Sequence, residues 1–328
     1  GVATDETALV ARHGITPVVA IGAEPNLRWR TFVSLFTDLF RDLSVDTVVT
    51  LGARMGVAIY PKDGDTAERL TANAQLAMHR AKADPLHPVC FYEAAMDERA
   101  RARAEVARDL KAAAARGEMI LHYQPQVDLR TATTSGHEVL LRWKHPTKGM
   151  IAPSVFIPVA EETGAIRALG EWVLDGACRE AARREDLGRI AVNVSPIQLA
   201  DPDFLARVET HLQRYSLPPT RLEIEVTESC LIDGAAPAIQ TLQKLKGLGV
   251  SIALDDFGSG FSSLGMLRKF HFDKIKLDRL FLAECESDGQ AQAIVRAVLT
   301  LAGILDMTVI AEGVETKPQF EFLRAIGA

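Results

Sequence analysis

Aromatic residues are scarce in this chain, at 6% of 328 positions, and its four cysteines are scattered. Cys90, Cys178, Cys230 and Cys285 form no Cys-x-x-Cys pair and no short secreted framework, so reduced thiols are expected. No stretch reaches the roughly 18 uninterrupted apolar residues of a membrane span, and the start lacks a signal-peptide pattern. The expected setting is the cytoplasm, as a free protein or as the cytoplasmic part of a longer, membrane-anchored one, with no membrane contact within this chain. Positive charge is in short supply too: 37 Lys and Arg against 43 Asp and Glu leave a net charge of -6. That balance argues against the basic face that duplex nucleic acid requires, and it leaves open a small anionic ligand handled through metal ions.

What is present is an ordinary globular composition, 48% hydrophobic and 24% charged, long enough for two domains. Residues 1–93 mix short apolar runs such as Pro17–Ile21 and Ala53–Tyr60 with helical stretches, the pattern of an α+β domain. Residues 94–117 are rich in Ala, Arg and Glu and reach no Gly or Pro until Gly117, which predicts a linker helix with a solvated, charged face. From 118 to 328, apolar β-branched runs alternate with amphipathic helices, the signature of repeated βα units. The expected strands lie near 119–124, 137–143, 189–194, 221–227, 250–255, 273–277 and 307–311. Together they suggest a (β/α) barrel lacking its last unit.

Five of these strands carry acidic or amide groups within them or at their ends: Glu138, then Asn193, then Glu225 with Glu228, then Asp255 with Asp256, then Glu312 with Glu315. In a parallel barrel, active groups gather at the C-terminal ends of the strands. Converging carboxylates repel unless a cation neutralises them, and an all-oxygen donor set suits Mg²⁺, Mn²⁺ or Ca²⁺ better than zinc. An adjacent pair such as Asp255 and Asp256 can flank two ions about 3.5 to 4 Å apart, the arrangement used for in-line attack on phosphate. Lys276, in the run from Asp273 to Asp278, places a cation among the acids, fit to orient a water or to stabilise phosphate charge. His122, His137 and His145 lack zinc-site spacing and are expected to pack or face solvent.

The motifs Tyr123-Gln124-Pro125, Glu138-Val139-Leu140-Leu141-Arg142-Trp143, Asn193-Val194-Ser195, Glu225-Val226-Thr227-Glu228, Asp255-Asp256-Phe257-Gly258-Ser259-Gly260, Lys276-Leu277-Asp278 and Ala311-Glu312-Gly313-Val314-Glu315, in this order, resemble those of EAL phosphodiesterases across residues 118–328. The resemblance implies a TIM-like (β/α) barrel with an antiparallel first strand, which hydrolyses cyclic di-GMP with Mg²⁺ or Mn²⁺ in a two-metal site. By the same resemblance, Glu138, Asn193, Glu225 and Asp255 hold one metal, and Asp255, Asp256 and Glu312 serve the second. Lys276 contacts the water between them, and Glu312 is the general base. Glu228 and Glu315, with Asp278 beside Lys276, support the loop and the metal shell, and Gln124, Leu140 and Arg142 line the substrate groove. Val139 stands where the signature triplet has Ala, a change expected to be tolerated. The chain stops at Ala325-Ile326-Gly327-Ala328, where the family continues into a final strand and a Gln-Gly motif, so an open barrel edge is expected.

Upstream, Gly52 to Lys82, with Gly56–Pro61 and Asn73–Met78, resembles the closing part of a GGDEF domain. Its signature falls at Ala3-Thr4-Asp5-Glu6-Thr7, without the glycines that let backbone approach nucleotide phosphates. No diguanylate cyclase activity is expected of this degenerate, N-terminally incomplete domain. A regulatory or dimerising role is the expectation, which leaves a homodimer open. The alternative to an active phosphodiesterase is a receptor that binds cyclic di-GMP without cutting it.

Overall fold

The computed structural model describes residues 55–83, 89–231, 235–258, 267, 270–283, 285 and 288–327. The chain divides into two units, Gly1–Val106 and Ala107–Ala328. In the first, strand β1 (Met55–Val57) pairs in parallel with β2 (Val89–Phe91), and helix α1 (Ala67–Ala83) connects them. Gly56 lies so close to α1 that a Cβ there would run into backbone atoms of Ala74 and Met78, so strand and helix can pack only with glycine at this position. The GGDEF-like signature position at 3–7 lies outside the described residues.

Helix α2 spans Ala94–Leu110 and crosses the division between the units. It is shorter than the helix expected up to residue 117. Propensity is overridden there by packing: Leu110 and Ala113 are buried, and the Arg116 side chain turns back to donate to the Asp109 carbonyl at 2.7 Å. The chain leaves this turn through Gly117, at φ +70.

The second unit begins with a hairpin of β3 (Met119–Asp128) and β4 (Thr133–His145). Asp128 makes the turn, its Oδ1 accepting the N–H groups of Arg130 at 2.9 Å and Thr131 at 2.8 Å. No helix separates these two strands, so the expected alternation of strand and helix begins only after β4. A short strand missed in the sequence, β5 (Gly149–Ile151), pairs back onto β4. There follow α3 (Pro153–Thr163), α4 (Ile166–Arg183), β6 (Arg189–Asn193), α5 (Pro196–Leu199), α6 (Phe204–Arg214), β7 (Leu222–Thr227), α7 (Ala235–Gly247) and β8 (Ser251–Phe257). The chain then runs through β9 (Lys274–Leu277), α8 (Arg279–Ala283), α9 (Gly289–Ile304), β10 (Thr308–Ala311) and α10 (Lys317–Ala325).

The main path of the sheet is β10-β9-β8-β7-β6-β4-β3, parallel throughout except for the antiparallel β3. It curls strongly: Lys276 on β9 touches Glu138 on β4, although three strands separate them in the sheet. This is a TIM-like barrel whose first strand is antiparallel. Among the described residues no ladder joins β3 to β10.

Each strand shows two chemically opposite faces, as a period of two requires. Leu222, Ile224 and Val226 of β7, Ile252 and Leu254 of β8, and Ile275 and Leu277 of β9 point outward into one apolar core with Leu174, Val208, Leu242 and Val295 of the surrounding helices. Burying such a side chain contributes about 1.5–3 kcal/mol. The alternate residues, Glu223, Glu225, Asp255, Lys274 and Lys276, are also buried, and face one another inside the barrel. The outer core stabilises the barrel and thereby offsets the cost of burying charge within it.

Candidate active site at the mouth of the barrel

Lys276 is the centre of the site. Its Nζ lies 3.2 Å from Glu138 Oε2, 2.9 Å from Glu225 Oε2, 3.0 Å from Asp255 Oδ2 and 2.8 Å from Glu312 Oε1. These four acids come from four different elements, β4, β7, β8 and the residue following β10. Glu225 and Asp255 lie in the C-terminal halves of β7 and β8 and Glu312 just past β10, where barrel chemistry is expected, while Glu138 joins them from the middle of the long β4. Asn193, the last residue of β6, donates from Nδ2 to Glu138 Oε1 at 2.8 Å, which leaves its carbonyl oxygen as the atom available to a cation.

Asp255 and Asp256 pose a geometric problem, because neighbours on a regular strand point to opposite faces. The chain resolves it locally. The β8–β9 register shifts between Leu254 and Phe257, and Asp256 adopts φ +54, a left-handed conformation that Asp tolerates better than most residues. Carboxylate oxygens of Asp255, Asp256 and Glu312 consequently lie within 4.8 Å of one another.

One ammonium cannot neutralise so many acids, and the ionisation of the group reflects this. Burial pushes the Glu225 carboxyl up; Lys276 partly opposes this, Glu138 and Asp255 add to it, and the result is about 8. Burial likewise raises Asp256, reinforced by the charges of Asp255 and Asp278. Glu312 is raised by burial against the pull of Lys276. For Lys276, burial works against the charge, but the surrounding carboxylates overcome it and hold the ammonium protonated. Lys276 and Glu225 thus pull apart as partners. Lys276 draws on four acids, whereas Glu225, fully buried, shares one cation with three rivals, so Glu225 resists ionisation until more positive charge arrives.

The residues fit a divalent cation. Glu225 Oε1 is buried without a hydrogen-bond partner, and the donors are all oxygens, as hard cations prefer. Among the described residues, the acidic trio of Asp255, Asp256 and Glu312 is the group whose geometry could hold a metal, and no histidine joins it.

Other expected residues fall around this centre. Gln124 stands opposite Glu138 in the β3–β4 register, and Leu140 and Arg142 follow Glu138 on the same face of β4, so the three extend the site along the hairpin. Val139 points the other way and is buried in the outer core, away from the acids. Trp143 is fully buried and donates from Nε1 to Glu118 at 2.9 Å. Glu228 accepts the Gly258 N–H at 2.9 Å, and so holds the start of the loop after β8. Asp278 caps α8 by accepting the Leu280 N–H at 2.7 Å. Glu315 is not brought into the acidic cluster: it is exposed, and its backbone N–H donates to Gln319 at 2.8 Å.

A second buried pair escaped the sequence reading. Lys274 Nζ lies 2.8 Å from Glu223 Oε2, with Arg189 at 3.5 Å from the same oxygen and Gln126 Oε1 accepting from Lys274 at 3.4 Å. The spacing i, i+2 from Lys276 and Glu225 places this pair one step deeper on the same inward faces. That alternation was the signal available in the sequence.

An eight-stranded curled sheet with a cluster of acids around one lysine at its mouth defines a TIM-like barrel with a candidate cation site. The family model described as EAL domain matches residues 107–328, and the chain belongs to the EAL domain family. It is 41% identical over 283 residues to MucR of Pseudomonas aeruginosa, a "bifunctional diguanylate cyclase/cyclic di-GMP phosphodiesterase", covering 85% of this chain and 41% of MucR. It is 36% identical over 276 residues to the cyclic di-GMP phosphodiesterase PdeR of Escherichia coli, covering 83% of this chain and 42% of PdeR. The chain thus spans less than half the length of either relative. A solved structure titled "PaMucR Phosphodiesterase, c-di-GMP complex" superposes with a TM-score of 0.65 at 42% identity, over 68% of this chain and 92% of that one.

Proposed function

We propose that this chain hydrolyses cyclic di-GMP to linear pGpG with Mg²⁺ or Mn²⁺. The observation that carries the reading is the convergence of Glu138, Glu225, Asp255 and Glu312 on Lys276, beside the trio that adds Asp256. The family membership and the named activities of the relatives support it. Glu138, Asn193, Glu225 and Asp255 would hold one ion, and Asp255, Asp256 and Glu312 the other. When bound, the ions supply activation of water and neutralisation of charge on the phosphate.

The protein's own groups do the rest. Glu312 takes the proton of the attacking water, a role suited to a carboxyl raised above its ordinary range. Lys276 is held charged where it can orient that water and stabilise phosphate charge. Water oxygen bonds to phosphorus as its proton passes to Glu312, and the bond from phosphorus to the 3′ oxygen breaks with its electron pair going to that oxygen. The 3′ oxygen takes a proton from solvent and leaves as a 3′ hydroxyl, and the phosphate stays on the 5′ side. Gln124, Leu140 and Arg142 line the groove for the dinucleotide, with the planar guanidinium of Arg142 matched to phosphate. Residues 118–328 form this catalytic domain. Residues 1–93, joined to it through 94–117, serve as an inactive GGDEF-like regulatory module.

The test is incubation of the purified chain with cyclic di-GMP and Mg²⁺ or Mn²⁺, following pGpG by chromatography with a chelator control. Metal-dependent product is the expected result; tight binding without product would make the chain a receptor instead. Formation of cyclic di-GMP from GTP would overturn the inactive assignment of the N-terminal region.

A further inference from the structure

Gln319 is a buried amide whose two ends are engaged by different parts of the site's support. Its Oε1 accepts the N–H groups of Glu315 at 2.8 Å and Thr316 at 3.1 Å, just downstream of Glu312. Its Nε2 donates to the carbonyl of Leu282 in α8 at 3.3 Å. Helix α8 in turn lies against residues that closely follow the acidic trio, Gly258 after the end of β8 and Gly313 after Glu312. The Phe281 ring covers Gly258, at φ +92, where a Cβ would strike the ring, and Gly313, at φ +70, packs equally closely on Arg279. Gly258 is the residue whose N–H is held by Glu228.

We propose that Gln319 is a positioning residue: it locks the Glu312 loop onto α8, and through Phe281 onto the strand end bearing Asp255 and Asp256, so that the three carboxylates keep their mutual spacing. The simpler role for this side chain is the capping box of α10, in which Thr316 Oγ1 accepts the Gln319 N–H and the Gln319 side chain returns the bond. Capping explains the bond to Thr316. It does not require a donor aimed at Leu282, and Glu serves a capping box as well as Gln does. The chemistry separates the two roles, because a carboxylate accepts at Glu315 and Thr316 but cannot donate to a carbonyl.

The Gln319→Glu variant of the full chain is therefore the test, read first by hydrogen exchange, which needs neither metal nor substrate. Exchange of the Gly258 amide, which Gln319 does not touch, is expected to accelerate about tenfold or more, while the amides of α10 stay protected. Mn²⁺ affinity measured by calorimetry is expected to fall by about 10–100-fold, as for other supports of metal ligands. The part concerning turnover rests on the phosphodiesterase reading: kcat falls by a similar factor with KM for cyclic di-GMP within about twofold. Wild-type exchange at Gly258 would overturn the proposal and leave Gln319 as a cap alone. Absence of turnover in the wild-type chain would sink the phosphodiesterase reading, and the exchange result would still decide this one. Should Gln319→Glu fail to fold, Phe281→Leu cuts the same chain of contacts at its other end. Wild-type Mn²⁺ affinity in that variant would overturn the proposal.

Discussion

The ammonium of Lys276 sits 2.9 Å from Glu225, an acid with no exposed surface, inside a barrel whose outer face is apolar. The pair persists because β7 and β9 are fixed by their outward aliphatic residues, and the helices leave the inward ones nowhere else to go. Charge is imposed on this interior by the fold. It is balanced only in part by Lys276, and that imbalance is what a cation bound at the proposed site would relieve.

Replacing Lys276 with Met should test the balance directly. Removing the cation from a buried charged group leaves the partner uncompensated, a loss of about 3–5 kcal/mol. Urea unfolding in chelator should show that loss, and Mn²⁺ should restore part of it by supplying positive charge to the same acids. Turnover should vanish under both conditions. A variant as stable as wild type in chelator would show that the acids are already neutral without the lysine.

The pH dependence of the metal-free chain follows from Glu225. Its folded carboxyl titrates near 8 against an ordinary value of 4.5, so the folded state holds a proton that the unfolded chain has released. The sign is a loss with rising pH: the contribution is fully present below about 4.5 and is lost as the pH climbs to about 8. Thermal unfolding in chelator should show this decline, and Glu225→Gln should flatten it. Saturating Mn²⁺ should also oppose the decline, because binding to the folded state alone adds about 2.7 kcal/mol at a hundredfold excess over Kd. An unchanged slope in Glu225→Gln would assign the titration to another group.

Much of this was legible in the sequence, and the reasons differ from residue to residue. All seven expected strands are present, because a run such as Ile190–Val192 between turn signals has few alternatives, and their polar ends marked the site. Lys274 and Glu223 were not legible as a pair because they lie inside their strands, two residues from Lys276 and Glu225, and carry no strand-end signal of a site. The placement of Asp255 and Asp256 on one side depends on a register shift and a positive φ, and neither can be read from an Asp-Asp pair. The end of α2 at Leu110 came from burial of Leu110 and Ala113, a tertiary effect that a helix-rich composition hides.

Under the proposed two-metal reading Asp255 would serve both ions: it contacts Lys276 beside Glu138 and Glu225 and also belongs to the trio with Asp256 and Glu312. Asp255→Asn keeps the size and removes the charge. Calorimetry should show Mn²⁺ affinity weakened at both sites, by about 10–100-fold or more. Loss at one site alone would remove the bridging role.

Glu312 supplies the clearest separation between binding and chemistry. It is the most exposed of the four acids on Lys276, with 31% of its side-chain surface open against 15% for Glu138, so a water in the groove can reach it. Glu312→Gln retains an oxygen donor for a cation but loses the basic carboxylate. If Glu312 takes the proton, kcat should fall by about 10²–10⁴-fold while the affinity for cyclic di-GMP, measured by calorimetry in Ca²⁺, changes little. Equal losses in binding and turnover would instead make Glu312 a ligand-holding residue. Turnover close to wild type would move the base elsewhere in the cluster, with Asp256 the next candidate because its carboxyl is also raised by burial.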